Sequence, residues 1–497
     1  MAKDRSALVI AGICLVVLGA PANAQIAETT EDYRRQGEAE LARLKSEQPV
    51  TTAARNVIIF IGDGMGVSTL TAGRIHQGQI RGADGESLVT AMDGLSHTAL
   101  VKTYSHDAQV SDSAPTATAI LAGVKTRNGV IGLGPEAVVD DCPGSKDDQI
   151  PSLFAIAQDQ GRVTGIISTA RITHATPAAA FAHTPQRDWE ADTDMPAGAR
   201  AAGCQDIARQ LIESPVGAKL DLVLGGGRQN FLPTGTADPE YPDRTGKRSD
   251  GRDLVAAWRK RNPRGAFVWN SAAFAKLDLA RTPRVFGLFE PDHMQYEADR
   301  ATDRGGEPSL AEMTRSAITM LGREDKGYVL LVEAGRIDHA HHGGNARRAL
   351  EDTVALDDAV KVALQMVDLQ DTLVVVTADH SHTFSISGYP VRGNPILGVA
   401  AGEDKLPFKA KDGKAFTTLG YANGPGAVMD GPRPDPIAVD TTALDYRQQA
   451  AVPLGSETHG GDDVVVRASG PMAHLFKGTI EQHSIFHIVK EAMAPTK

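Results

Sequence analysis

The densest group of metal-ligating side chains in this sequence is Glu333-Ala334-Gly335-Arg336-Ile337-Asp338-His339-Ala340-His341-His342. Asp338 and His342 are four residues apart, so on a helical turn they share one face, as two ligands of a single ion must. A second group, Asp379-His380-Ser381-His382, directly follows the apolar run 372–378. A third is His459, in Glu457-Thr458-His459-Gly460-Gly461, remote in sequence and flanked by turn residues. Five of the 15 histidines lie between His339 and His382, so the imidazoles are concentrated where an ion would collect them. Mixed Asp/His ligation without thiolate suits hydrolytic Zn²⁺, and a carboxylate-plus-hydroxyl set suits Mg²⁺. Any one Asp-His pair is ordinary surface polarity; three groups at the ends of apolar strands favour a metal centre.

Asp63, in Gly62-Asp63-Gly64-Met65-Gly66, stands at the end of another apolar run and is placed to bridge ions. The glycine loop itself matches neither the P-loop nor the dinucleotide pattern. In Ser111-Asp112-Ser113-Ala114-Pro115-Thr116-Ala117-Thr118-Ala119, small residues run into Ile120-Leu121-Ala122-Gly123. This reads as a helix with Pro115 in its first turn and Gly123 at its end. Ser113 then lies at the helix N-terminus, where free N–H groups and the dipole favour an anion. A plain capping serine is the alternative; a nucleophile would need an activator, and a metal ion would serve.

Such residues must be held by rigid elements. Short apolar runs at 57–61, 163–168, 220–224, 328–333 and 372–378 end in glycine or polar clusters. Runs this continuous suit strands buried on both faces, with helical patterns such as 347–367 between them. The fold class is therefore α/β, a large central, mostly parallel sheet sandwiched by helices, with functional residues beyond the carboxyl ends of the strands. Residues 31–44 read as an exposed amphipathic helical arm, and 392–453 as a Gly/Pro-rich, crown-like insertion on a single domain covering 25–497. At the start, Lys3 and Arg5 precede an apolar stretch and Ala22-Asn23-Ala24, the pattern of a signal peptide over 1–24. Ile13 before Cys14 argues against a lipoprotein anchor, and the C-terminal tail is no GPI signal. The chain is expected to be exported, periplasmic or secreted, without a membrane anchor.

The 497 residues carry 51 Lys+Arg against 62 Asp+Glu, a net charge of −11, which opposes nucleic-acid binding. A composition of 41% hydrophobic and 23% charged residues is ordinary for a globular chain and excludes disordered, collagenous and disulfide-scaffold proteins. Beyond Cys14, only Cys142 and Cys204 remain, and in an oxidising compartment one disulfide is the simplest reading. Two buried free thiols are the alternative.

The stretches 56–66, 112–129, 168–187, 332–342, 377–382 and 457–461 together resemble the alkaline phosphatases, in the family's order and over nearly the whole chain. Gly225-Gly226-Gly227-Arg228, Gly287-Leu288-Phe289-Glu290-Pro291 and Cys204-Gln205-Asp206-Ile207-Ala208 resemble the animal-type branch. The resemblance implies two Zn²⁺ and one Mg²⁺. One Zn²⁺ would sit on Asp338, His342 and His459, and the other on Asp379, His380 and Asp63, with Ser113 completing its shell. Mg²⁺ would share Asp63 and add Thr176 and Glu333. It implies phosphate monoester hydrolysis through phospho-Ser113, with Arg187 gripping the phosphate as a planar bidentate fork. His174, two before Thr176, would stand behind the Mg²⁺ and give it less charge than an aspartate. The branch further implies either a Ca²⁺ on Glu240, the Phe289 carbonyl, Glu290 and Glu307, or a solvated acidic loop there. Tyr389 would reach a neighbouring subunit, which with the 31–44 arm suggests a homodimer.

Rival readings are a related metallo-hydrolase and a non-catalytic exported metal-binding protein. The first would be a phosphodiesterase, phosphonate hydrolase or sulfatase. Ser113-Ala114-Pro115-Thr116-Ala117 overlaps a sulfatase-like Ser-x-Pro-x-Arg signature, but Ala117 stands in place of the arginine. A storage protein would leave Ser113 and Arg187 without roles.

Overall fold

A computed structural model describes residues 28–494; the signal-peptide expectation and Cys14 lie outside the described residues. The run Asn-Val-Ile-Ile-Phe-Ile-Gly forms strand β1 (Asn56–Gly62), buried along its whole length. Seven further strands of the main sheet are β2 (His97–Lys102), β3 (Val163–Arg171), β4 (Leu222–Gly226), β5 (Ala266–Val268), β6 (Val285–Leu288), β7 (Tyr328–Ala334) and β8 (Thr372–Ala378). Beyond β8 come β9 (Ser381–His382), β10 (Phe384–Ile386), β11 (Leu419–Gly424), β12 (Ala450–Pro453), β13 (His459–Gly460), β14 (Val464–Ser469) and β15 (Gly478–Glu481).

Ten strands form one sheet in the order β15-β2-β14-β8-β1-β7-β3-β4-β6-β5. Only β14 runs antiparallel to its neighbours β2 and β8, so the sheet is mostly parallel, as the unbroken apolar runs require. The strand expected over 220–224 starts two residues later. Leu220 closes the short 3₁₀ turn Gly217–Lys219, its N–H donating to the Gly217 carbonyl, and is not free to pair.

Register is what assembles the site. Gly62 of β1 lies level with Ala334 of β7 and Ala378 of β8, and Ser168 of β3 lies level with Glu333. Asp63, Glu333 and Asp379 therefore reach the same carboxyl edge. The helix Ala346–Met366 covers one face, burying Leu350, Leu356 and Val360. The wholly buried helix Ser113–Ala122 packs near the helix Ser484–Ala492 and ends at Gly123 (φ 77°), where a Cβ would collide with the Phe486 ring.

The stretch 392–453 supplies two strands of a separate sheet, β10-β11-β12, with its own small core of Phe384, Ile396, Leu397, Leu419 and Tyr421 against Leu350. The helix Thr30–Ser46 buries none of its side chains and opens with a capping box between Thr29 and Asp32. Cys142 and Cys204 form a disulfide. Closing a span of 62 residues stabilises by roughly 4 kcal/mol in the chain-entropy account. Among the described residues no helix is long and apolar enough to cross a membrane.

Candidate active site

Asp338 and His342 lie on the short helix Arg336–His342, and their contact, Nε2 to Oδ1 at 3.3 Å, bears out the shared face. The ribbon β9–β13 places His459 opposite His382. Nε2 of His459 comes to 3.1 Å from Nε2 of His342 and 3.4 Å from Asp338 Oδ1. The Nδ1 of His342 faces the Glu457 carbonyl at 2.6 Å and that of His459 the Ser111 carbonyl at 2.8 Å. Each Nδ1 is therefore protonated and each Nε2 carries a lone pair. Two lone pairs turned toward each other beside a carboxylate repel unless a cation lies among them, and that is the chemistry of a metal site.

His382 also approaches Asp338, with Nε2 at 2.9 Å from Oδ1, but its Nδ1 is 2.5 Å from Glu457 Oε2. With a carboxylate at each ring nitrogen, both must carry protons. Burial opposes the charge, but the bonds to Asp338 and Glu457 outweigh it and push His382 up to about 9. His382 is thus a donor that braces Asp338. The histidine cluster had shown it in the sequence, but its role depends on Glu457, 75 residues away.

Beside this group, His380 Nε2 stands 3.2 Å from Asp63 Oδ1 and 3.4 Å from Asp379 Oδ2. Ser113 Oγ reaches the same point, 3.2 Å from His380 Nε2 and 3.4 Å from Asp63 Oδ1. The serine is the first residue of its helix, and the cap is Asp112, whose Oδ1 accepts from the Ala114 N–H at 2.7 Å. Gly64 (φ 68°) turns the chain after Asp63 where a side chain would enter the His382 ring, and its N–H donates to Asp379 Oδ1 at 3.0 Å.

On the far side of Asp63, its Oδ2, Glu333 Oε1 and Thr176 Oγ1 are buried without a hydrogen-bond partner. The other Glu333 oxygen accepts from Ser168. Orphaned oxygens this deep are costly unless an ion takes them. Burial and then repulsion from Asp379, Asp338 and Glu333 hold Asp63 well above the usual carboxylate range. Glu333 is pushed up to about 8, by burial and then by Asp379 and Asp338. Asp379 is raised by burial and Asp338. Asp338 alone is lowered, because its imidazole neighbours overcome its burial. Four acids packed this way call for bound positive charge.

Arg187 is held by Asp112 Oδ1 at 3.3 Å and by His174 Nε2 at 3.1 Å. Burial opposes its charge, but Asp112 and Asp63 raise its basicity, so it stays a cation. His174 groups with Asp63 and Glu333, and its Nδ1 is likewise buried without a hydrogen-bond partner.

The alkaline phosphatase family model matches residues 54–494. The chain belongs to the alkaline phosphatase family. It is 45% identical to the tissue-nonspecific alkaline phosphatase of Gallus gallus over 474 residues, 94% of this chain and 90% of that protein. It is 46% identical to the alkaline phosphatase of Gadus morhua over 445 residues, 88% of this chain and 91% of the relative. Among solved structures, the Thermus thermophilus alkaline phosphatase superposes with a TM-score of 0.63 at 24% identity, covering 90% of this chain and 93% of that one. That of the Antarctic bacterium TAB5 gives 0.60 at 22%, covering 89% and 99%, and at this distance both show the fold alone. This alkaline phosphatase is therefore a phosphoric monoester hydrolase, and divalent metal cofactors go with its family.

Near the outer strands, Glu240, Glu290 and Asp303 converge, and Asp303 is an acid that the sequence reading did not single out. Glu307 lies beside them, with Oε1 taken by the Gln295 N–H at 2.9 Å, Oε2 buried without a hydrogen-bond partner, and the carboxyl pushed up to about 9 by burial and by Asp303 and Glu290. The 3₁₀ turn Arg300–Thr302 brings Asp303 inward, a local bend that spacing alone does not reveal. Phe289 is buried directly after β6.

Proposed function

We propose that hydrolysis runs through a covalent phosphate on Ser113, with two Zn²⁺ and one Mg²⁺. The observation that carries this is the meeting of Ser113 Oγ with Asp63 and His380, next to an arginine held in place by Asp112. One Zn²⁺ would be held by Asp338, His342 and His459, the other by Asp63, Asp379 and His380. Mg²⁺ would be held by Asp63, Glu333 and Thr176, whose unpartnered oxygens fit a hard cation. When bound, these ions supply the charge that lowers the pKa of the serine hydroxyl and of water and stabilises the leaving oxygen.

The protein's own residues do the rest. Arg187 grips two phosphate oxygens, its guanidinium kept in plane by Asp112 and His174. Ser113 Oγ gives up its proton to solvent and attacks phosphorus in line, the bond to the alcohol oxygen breaks, that oxygen takes a proton from water, and phospho-Ser113 forms. Water then attacks phosphorus, the bond to Oγ breaks, and inorganic phosphate leaves. The expected test result is loss of aryl phosphate hydrolysis on chelation and its return with Zn²⁺ and Mg²⁺; full activity in metal-free protein would refute the reading.

The same reading covers the remaining features. Residues 1–24 direct export of a single domain over 25–497 to the periplasm or medium, where the Cys142–Cys204 bridge persists. Ca²⁺ is proposed on Glu240, the Phe289 carbonyl, Glu290 and Glu307, with Asp303 beside them. A homodimer is supported by Tyr389, 96% exposed, and by the unburied helix Thr30–Ser46 with Tyr33, Leu41 and Leu44 turned outward. Gel filtration at the monomer mass would contradict the dimer.

A further inference from the structure

We infer that Glu457 is a positioning residue that fixes the imidazoles of His342 and His382 around Asp338. It would do so for the ion proposed there, and the inference rests on that assignment of the ion. Glu457 belongs to none of the sets of proposed ligands, yet its side chain is fully buried. A buried carboxylate is stable only when its lone pairs are taken. Here Oε2 accepts from His382 Nδ1 at 2.5 Å, and Oε1 accepts from the Thr383 N–H at 2.7 Å and the Thr383 hydroxyl at 2.6 Å.

The main chain of the same residue holds the second ring. The Glu457 N–H donates to the His342 carbonyl at 3.0 Å, and the Glu457 carbonyl accepts from His342 Nδ1 at 2.6 Å. Side chain and backbone of one residue thus set the orientation of two imidazoles whose Nε2 atoms both face Asp338 Oδ1. The third ring, His459, follows two residues later on the ribbon that pairs it with His382.

The loop carrying Glu457 is itself clamped by the smaller sheet. Asn423 of β11 donates to the Thr458 hydroxyl at 2.8 Å and accepts from the Thr458 N–H at 3.0 Å. The Gly/Pro-rich insertion therefore reaches the site through Glu457, and the rings need not be ordered when the ion binds.

The test is zinc release from the fully loaded enzyme to a chromogenic chelator, with the visible spectrum of the cobalt-substituted enzyme recorded in parallel. Glu457→Gln keeps the shape and an acceptor for Thr383 but removes the carboxylate from His382. One of the two zincs should leave about ten-fold faster or more, the other at the wild-type rate, and the cobalt spectrum should change. Both zincs leaving at the wild-type rate with an unchanged spectrum, or both leaving equally fast, would overturn the inference. If Glu457→Gln does not fold, Thr383→Val decides, because it removes only the hydroxyl bond to Oε1. A smaller acceleration confined to one zinc supports the role, and wild-type release overturns it. Asp338→Asn separates the two layers. If it too leaves zinc release unchanged, the ion is misassigned; if it loses one zinc while Glu457→Gln does not, only the role of Glu457 falls.

Discussion

The Nε2 of His174 lies 3.1 Å from Nη2 of Arg187, so the residue behind the proposed Mg²⁺ is also a support for the phosphate grip. Burial and then the charge of Arg187 keep His174 well below its usual pKa, so the ring is neutral and can accept that N–H. A hydrogen bond to a charged group contributes about 1.5–3 kcal/mol. His174→Ala is expected to raise KM for an aryl phosphate, and the inhibition constant for inorganic phosphate, by about ten-fold. Steady-state kinetics with fully metal-loaded enzyme check this, and unchanged values would refute it.

A neutral imidazole also adds no negative charge beside Asp63 and Glu333. Mg²⁺ is therefore expected to exchange readily and to activate metal-depleted enzyme when added, whereas His174→Asp should hold it more tightly. A titration of activity with Mg²⁺ checks both; a flat response in the wild-type enzyme would contradict the account.

The Cys142–Cys204 bridge joins two loops flanking Trp189 and Met195. Replacing both cysteines by serine should lower stability by roughly 4 kcal/mol or somewhat less, read as a lower denaturation midpoint.

Asp352, on the covering helix Ala346–Met366, is pushed up to about 8 by burial, with Glu297 and Glu351 adding repulsion against the pull of Arg336. The folded protein therefore keeps a proton that the unfolded chain gives up above about pH 4. The stability this proton confers is full below about pH 4 and falls by at most about 1.4 kcal/mol per unit as pH rises toward 8, then levels off. Asp352→Asn should lack this slope, so its denaturation midpoint gains on wild type between about pH 5 and about pH 8. Parallel curves would contradict the assignment.

The sheet and the acids at its edge were legible because both depend on local pattern. Continuous β-branched runs marked β1, β3, β7 and β8, and Asp63, Glu333 and Asp379 stand where those runs stop. Asp338 and His342 were legible from their helical spacing. Thr176 and His174 sit on and just before the one-turn helix Ala175–Ala178, and Arg187 on irregular backbone beyond it; no periodicity marks these residues, and only family resemblance pointed to them.

What sequence could not supply was pairing over distance. His382 stands in the sequence only as a neighbour of Asp379 and His380, and the carboxylate of Glu457 on its other nitrogen makes it a brace for Asp338. Asp112 as the cap of the Ser113 helix was open to discovery, since an aspartate just before a helix is a capping signal. Asp303 joins Glu240 and Glu290 by way of the turn Arg300–Thr302, which spacing alone does not reveal.

The central claim is that Ser113 carries the phosphate. The most direct measurement is acid quenching of metal-loaded enzyme during turnover of a radiolabelled phosphate monoester, followed by peptide mapping of the label. Label should appear on the peptide containing Ser113 and vanish in Ser113→Ala, with hydrolysis falling by several orders of magnitude. Undiminished hydrolysis by Ser113→Ala with its metals retained, or label on another residue, would contradict it.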